Sequence, residues 1–174
     1  MSAAFMRGRI LACLHSVFSQ KKGLFAVAVP SPGSVAERAG QLRVFASDRE
    51  DLELLQRELA AFPWFRDYGR CEIPRRVPED FTGPWFSHSR FRIPTLASDR
   101  HEGAEHGLLR ERRMRQARAE GLVFFILRSG SNKSRFSLHV RRMEGEAPTG
   151  ECVPNGYGFC GAEHRFCLPE LPWL

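Results

Sequence analysis

The chain has 174 residues, 43% of them hydrophobic and 26% charged, with a net charge of +6, enough for one ordinary domain or two small ones with a real core. No apolar run approaches the roughly 18 residues of a membrane span. The five cysteines, at 13, 71, 152, 160 and 167, are odd in number and scattered, which excludes a disulfide framework and points to a reducing cytoplasm.

All the cations except Lys21, Lys22 and Lys133 are arginine. That bias favours planar, bidentate recognition of phosphate, so nucleic acid or an anionic surface is the expected partner. The first fifteen residues imitate a signal peptide. Their apolar part is short, is broken by His15 and continues into an amphipathic pattern, so they are read as part of the fold. Ile10, Leu11, Leu14, Val17 and Phe18 recur at helical spacing, with Gly23 as the stop, and His15 sits at the border of that stripe.

Leu24–Val29 and Leu42–Ala46 are expected to be strands. Ser47-Asp48-Arg49-Glu50 reads as a capping box opening a helix whose Leu52, Leu55 and Leu59 face the core. Arg70–Val77 is a weaker strand, placed at an edge by Pro74. Pro78–Ser98, mixing aromatics with Pro, Gly, Ser and Arg, reads as an ordered linker; its Ser89-Arg90-Phe91-Arg92 interleaves cation and aromatic in a pattern common at nucleic-acid contacts.

Leu108–Ala119 is made of good helix formers and ends at Gly121. Arg112, Arg115 and Arg118 form one stripe with Arg110 and Arg113 beside it, and only Glu111 and Glu120 offset them. A helix polar nearly all round needs a partner, and here a polyanion suits it.

Leu122–Leu127 is a short apolar run expected to be a strand buried on both faces, and Phe136–Val140 alternates strictly. The turn between them carries Ser129 and Ser131 among the cations Arg128, Lys133 and Arg135, a place to hold an anion or a ribose hydroxyl. In the loop-rich tail, Cys152, Cys160, His164 and Cys167 lack the paired spacing of structural zinc sites. No metal and no cofactor is expected.

The hairpin F-x-L-R-S-x-S-x₄-F-x-L-x-V-R, the arginine helix before it, the C-L-H-S segment of the first helix, the G-Y-G of the tail and the closing L-P-W-L together resemble the type I-F CRISPR repeat-RNA endoribonucleases. The likeness runs from Ile10 to the C-terminus. It implies an α+β fold: a ferredoxin-like domain over residues 1–78, its first strand missing or reduced, a linker over 79–98, and an RNA-binding region over 99–174 with the arginine-rich helix and the hairpin. It further implies an enzyme that binds the hairpin of CRISPR repeat RNA and cuts once at its 3′ base without metal. Such an enzyme stays on the product as a subunit of a cytoplasmic surveillance complex, beside backbone, large and 5′-end subunits, meeting target DNA only indirectly.

Carried over position by position, the resemblance puts the catalytic histidine at His15, the hydroxyls near the attacking ribose at Ser129 and Ser131, and the active-site tyrosine at Tyr157. The arginine helix falls on Arg110–Arg118, the base-stacking ring on Phe136, and the two linker readers on Arg90 and Arg92. The second reader is Arg where the family has Gln, and the helix has Glu111 and Gln116 where relatives carry arginine. From the residues alone, a histidine base suits attack by a ribose 2′-hydroxyl, because an ordinary imidazole titrates nearest neutrality. Arg128 or Lys133 is placed to meet the charge on the phosphorus. A non-catalytic hairpin-binding subunit and a basic zinc-bearing nucleic-acid module are the alternatives.

Overall fold

The computed structural model describes residues 2–31, 40–94, 104–129 and 134–173. Helix α1, Ala3–Phe18, opens on Ser2, whose hydroxyl accepts from the Phe5 amide at 3.4 Å. The apolar periodicity in the sequence begins at Ile10, yet the helix starts seven residues earlier. The reason lies in its buried face: Ala4, Arg7, Gly8 and Leu11 keep helical spacing, but Arg7 and Gly8 carry no apolar signal.

After Gly23, at φ +79, come strands β1, Ala26–Ala28, and β2, Arg43–Phe45, paired antiparallel. Helices α2, Arg49–Ala60, and α3, Pro63–Tyr68, follow. Asp48 is the N-cap of α2, without a side-chain bond to the helix, in place of the capping box expected from Ser47 and Glu50. Arg70–Val77 forms no strand. Ile73 is 76% exposed there, so the segment has no apolar face to bury in a sheet.

The second sheet has the order β4-β5-β3-β6, with every pair antiparallel. Its strands are β3, Trp85–Phe91; β4, Val123–Arg128; β5, Arg135–Gly145; and β6, Leu168–Pro169. Helix α4, Ala104–Ala119, precedes β4 and ends at Gly121, at φ +61. The segment read as a linker thus contributes β3, which pairs with β5 along its whole length. The hydrogen-bond partners of that strand come from β5, far off in sequence.

Strand β4 alternates, with Val123, Phe125 and Leu127 buried and Phe124 and Arg128 exposed, so one face is buried and not two. It is an edge strand, and α1 lies along it. Gly8 sits so close to the Ile126 carbonyl that a Cβ there would collide with it. The Arg7 guanidinium, 3% exposed, donates to the Phe124 carbonyl at 3.3 and 3.4 Å. Helix coverage of this kind shields a strand edge from further pairing.

One core joins Leu11, Leu14 and Phe18 of α1, Val27 of β1, Leu55 and Leu59 of α2, Phe125 and Leu138 of the second sheet, and Phe159 of the tail. The Val27 N–H of β1 donates to the Gly158 carbonyl of the tail loop at 2.8 Å, and the Val29 N–H, one residue past β1, donates to Nδ1 of His88 on β3 at 3.5 Å. The tail then straps across: Glu170 pairs with Arg142 at 2.8 Å, and Arg43 of β2 donates to the carbonyls of Leu171 and Pro172, each at 2.7 Å. The Arg43 guanidinium also lies 4.4 Å from the Trp173 ring centroid. The fold is α+β, compatible with a ferredoxin-like domain carrying a smaller C-terminal region. Among the described residues no strand precedes α1, and no described helix is long and apolar enough to cross a membrane.

Candidate functional site

His15 lies in the last turn of α1, half-buried, and its ring meets the tail loop 141 residues away in the chain. Nδ1 is 2.5 Å from the Gly156 carbonyl oxygen. A carbonyl can only accept, so Nδ1 carries the hydrogen and, in the neutral ring, Nε2 holds the free lone pair. Tyr157 stacks flat on the imidazole, with centroids 4.2 Å apart and planes within 15°. The two contacts fix both the position and the rotation of the ring, and leave one nitrogen able to take a proton.

The loop bearing Gly156 and Tyr157 is held from several sides. Phe159 is buried against Phe125, the Gly158 carbonyl accepts from β1, and the Cys160 N–H donates to the His88 carbonyl at 2.8 Å. Gly158 sits at φ +82, and a Cβ there would come within 2.5 Å of Val27 Cγ2, so glycine is required on both counts.

The β4–β5 hairpin closes with the Ser129 N–H donating to the Ser134 carbonyl at 2.8 Å. Arg128 and Arg135 are exposed and face each other as a cross-strand pair, which puts two cations at its mouth. Ser131 and Lys133 lie outside the described residues. Phe136 is half-buried and packs against the core. Arg90 is exposed on β3, and Arg92 is exposed one residue beyond that strand.

On α4, Arg112, Arg115 and Arg118 are exposed, whereas Arg110 and Arg113 are half-buried. The Arg113 guanidinium stands 4.9 Å from the Phe91 ring centroid, and Arg141 of β5 lies 4.5 Å from the same ring. Arg141 also donates twice to the Glu120 carboxylate, at 2.9 and 3.0 Å. Two cations on one ring and a forked ion pair therefore hold a helix that has almost no apolar face. Each cation–π contact at such a partly exposed place is worth about 0.5–1 kcal/mol. The anchoring sorts the arginines, with Arg113 turned onto the protein and the 112/115/118 stripe turned outward.

The sequence reading missed Asn155, the Gly156 carbonyl, His88 and the anchor at Phe91. Asn155-Gly156 is a turn dipeptide that could have marked the loop, but nothing local marks the other three. Among the described residues no group of three or more His, Cys, Asp or Glu is placed to hold a metal ion.

Cations facing solvent along α4 and at the hairpin mouth put the molecule in the class of nucleic-acid-binding α+β proteins, and the fixed imidazole equips it to move a proton. The family model of the CRISPR-associated protein Cas_Csy4 matches residues 1–164. The chain belongs to that family, and is thereby an RNA-binding endoribonuclease that processes CRISPR repeat RNA. No curated protein matches the chain.

Proposed function

We propose that this chain binds the hairpin of CRISPR repeat RNA, cleaves the precursor at the 3′ base of the stem without a metal ion, and stays on its product as a subunit of a type I-F surveillance complex. The observation that carries the chemistry is the His15 ring, held through Nδ1 and by Tyr157 with Nε2 free. Nε2 takes the proton of the ribose 2′-hydroxyl as its oxygen bonds to phosphorus. The P–O5′ bond then breaks, leaving a 2′,3′-cyclic phosphate, and the departing 5′-oxygen takes up a proton. Ser129 and Ser131 hold the ribose, Tyr157 keeps the imidazole in place, and Arg128 or Lys133 offsets the charge on the phosphorane.

In this reading residues 1–78 carry the base, 79–98 present Arg90 and Arg92, and 99–174 clamp the stem, with Arg135 on phosphate and Phe136 against a base. Incubating end-labelled repeat RNA with the protein in EDTA tests the proposal. A single cut at the stem base with a cyclic-phosphate end is expected, and a requirement for added divalent metal would overturn it. Co-elution of the cut hairpin with the protein tests retention.

The exposed stripe on α4 is the phosphate contact. Arg112→Ala and Arg115→Ala should weaken binding to all stem sequences alike and flatten the slope of log affinity against log salt by about one unit each. Titrations at several salt concentrations measure this, and relaxed specificity at a single base pair would identify the arginine as a base reader instead.

Arg90 and Arg92, two apart in extended chain, point the same way, and the end of a stem is where the deep A-form groove opens. Arginine pairs bidentately with guanine and glutamine with adenine. Changing the guanine opposite Arg92 to adenine should cost about 1–3 kcal/mol in binding, and Arg92→Gln should recover part of the loss. Equal binding of both repeats would show that Arg92 touches only phosphate.

A further inference from the structure

We infer that Asn155 is a positioning residue for His15: its side chain shapes the turn whose Gly156 carbonyl fixes which nitrogen of the imidazole is free. The Asn155 Oδ1 accepts from the Tyr157 N–H at 2.9 Å and from the Phe159 N–H at 3.2 Å. Two N–H groups aimed at one atom assign that atom as the amide oxygen, since the opposite orientation would set donors against donors. The Asn155 backbone closes the same turn, its N–H donating to the Phe159 carbonyl and its carbonyl accepting from the Gly158 N–H, both at 2.8 Å.

The peptide between Gly156 and Tyr157 is thus clamped at its N–H by Asn155, and that clamp sets where the carbonyl at its other end points. The target of the carbonyl is His15 Nδ1. Gly156 lies against the ring itself, since a Cβ there would stand 3.4 Å from His15 Cε1. One side chain therefore governs the carbonyl that selects the tautomer and the tyrosine that flanks the ring, acting through the backbone of the turn.

Without the Oδ1 acceptor the turn keeps its two backbone bonds, but the peptide loses the clamp on its N–H and can tilt. The imidazole then loses its bias toward hydrogen on Nδ1, and the fraction with Nε2 ready to accept a proton falls. The consequence for cleavage rests on His15 being the base, whereas the consequence for the ring does not.

Nitrogen NMR of the histidine-labelled protein without RNA reads the tautomer directly, because protonated and bare ring nitrogens resonate far apart. In the wild type, His15 should show hydrogen on Nδ1. Asn155→Ala should give a mixture and slow single-turnover cleavage by about 10²-fold, the scale of a misplaced reacting group, with hairpin Kd unchanged. Asn155→Asp, which keeps an acceptor oxygen, should restore both, and Asn155→Ser should fall between them.

An unchanged nitrogen signature and wild-type cleavage in Asn155→Ala would overturn the inference. If the alanine variant does not fold, equal rates in the Asp and Ser variants would overturn it in the same way. A changed signature with undiminished cleavage would uphold the positioning and reject His15 as the base, so the two failures are distinguishable.

Discussion

His15→Ala is expected to slow single-turnover cleavage of the repeat hairpin by about 10²–10⁴-fold, the usual contribution of a positioned general base, while hairpin affinity stays unchanged. The split follows from the geometry. The imidazole is half-buried at the end of α1 and engaged with the tail loop, whereas the exposed cations lie on α4, the hairpin mouth and the end of β3. Removing the ring takes away the proposed proton acceptor and leaves those cations in place. Measuring the rate at saturating protein, with Kd taken separately, resolves the two effects. Full activity in the variant would remove His15 from the mechanism, and a matching loss of affinity would make it a binding residue.

The second large effect is acid lability centred on His88. This side chain is 2% exposed and accepts from the Val29 N–H through Nδ1. Burial, with the Arg142 guanidinium adding to it, pushes its pKa down from 6.5 to about 3. Below about pH 6.5 the unfolded chain takes up a proton that the folded chain refuses. The stability held above that pH is therefore lost as the pH falls toward 3, by up to about 1.4 kcal/mol per pH unit.

Burial lowers the pKa of His139 as well, which works in the same direction. Protonation at His88 Nδ1 would also replace the acceptor that the Val29 N–H uses with a donor, so the contact between the end of β1 and β3 should open first. Urea midpoints at pH 7, 6, 5 and 4 measure the loss. His88→Asn, whose amide oxygen can accept in place of Nδ1, should flatten the profile relative to wild type. Parallel profiles for the two proteins would show that the lability lies elsewhere.

Residue type and local spacing were enough to find the elements that need no distant partner. Leu108–Ala119 is helical because its residues favour helix and Gly121 stops it; the β4–β5 hairpin follows from an apolar run, a polar turn and an alternating strand. The basic character of α4, the candidate histidine and tyrosine, and the family likeness were legible in the same way, since each is a matter of which residues are present and how far apart.

The tertiary structure decided what depends on backbone groups remote in sequence. Trp85–Phe91 is a strand because β5 offers it a ladder, and Arg70–Val77 is not, because among the described residues no strand lies beside it. Gly8 and Arg7 belong to the buried face of α1 only because the β4 carbonyls lie against them. Arg113 looks like its neighbours in sequence, yet Phe91 draws it onto the protein. The free nitrogen of His15 is chosen by the carbonyl of Gly156, and a carbonyl is common to every residue. Side-chain periodicity encodes local structure, but it carries no record of where a distant backbone oxygen will point.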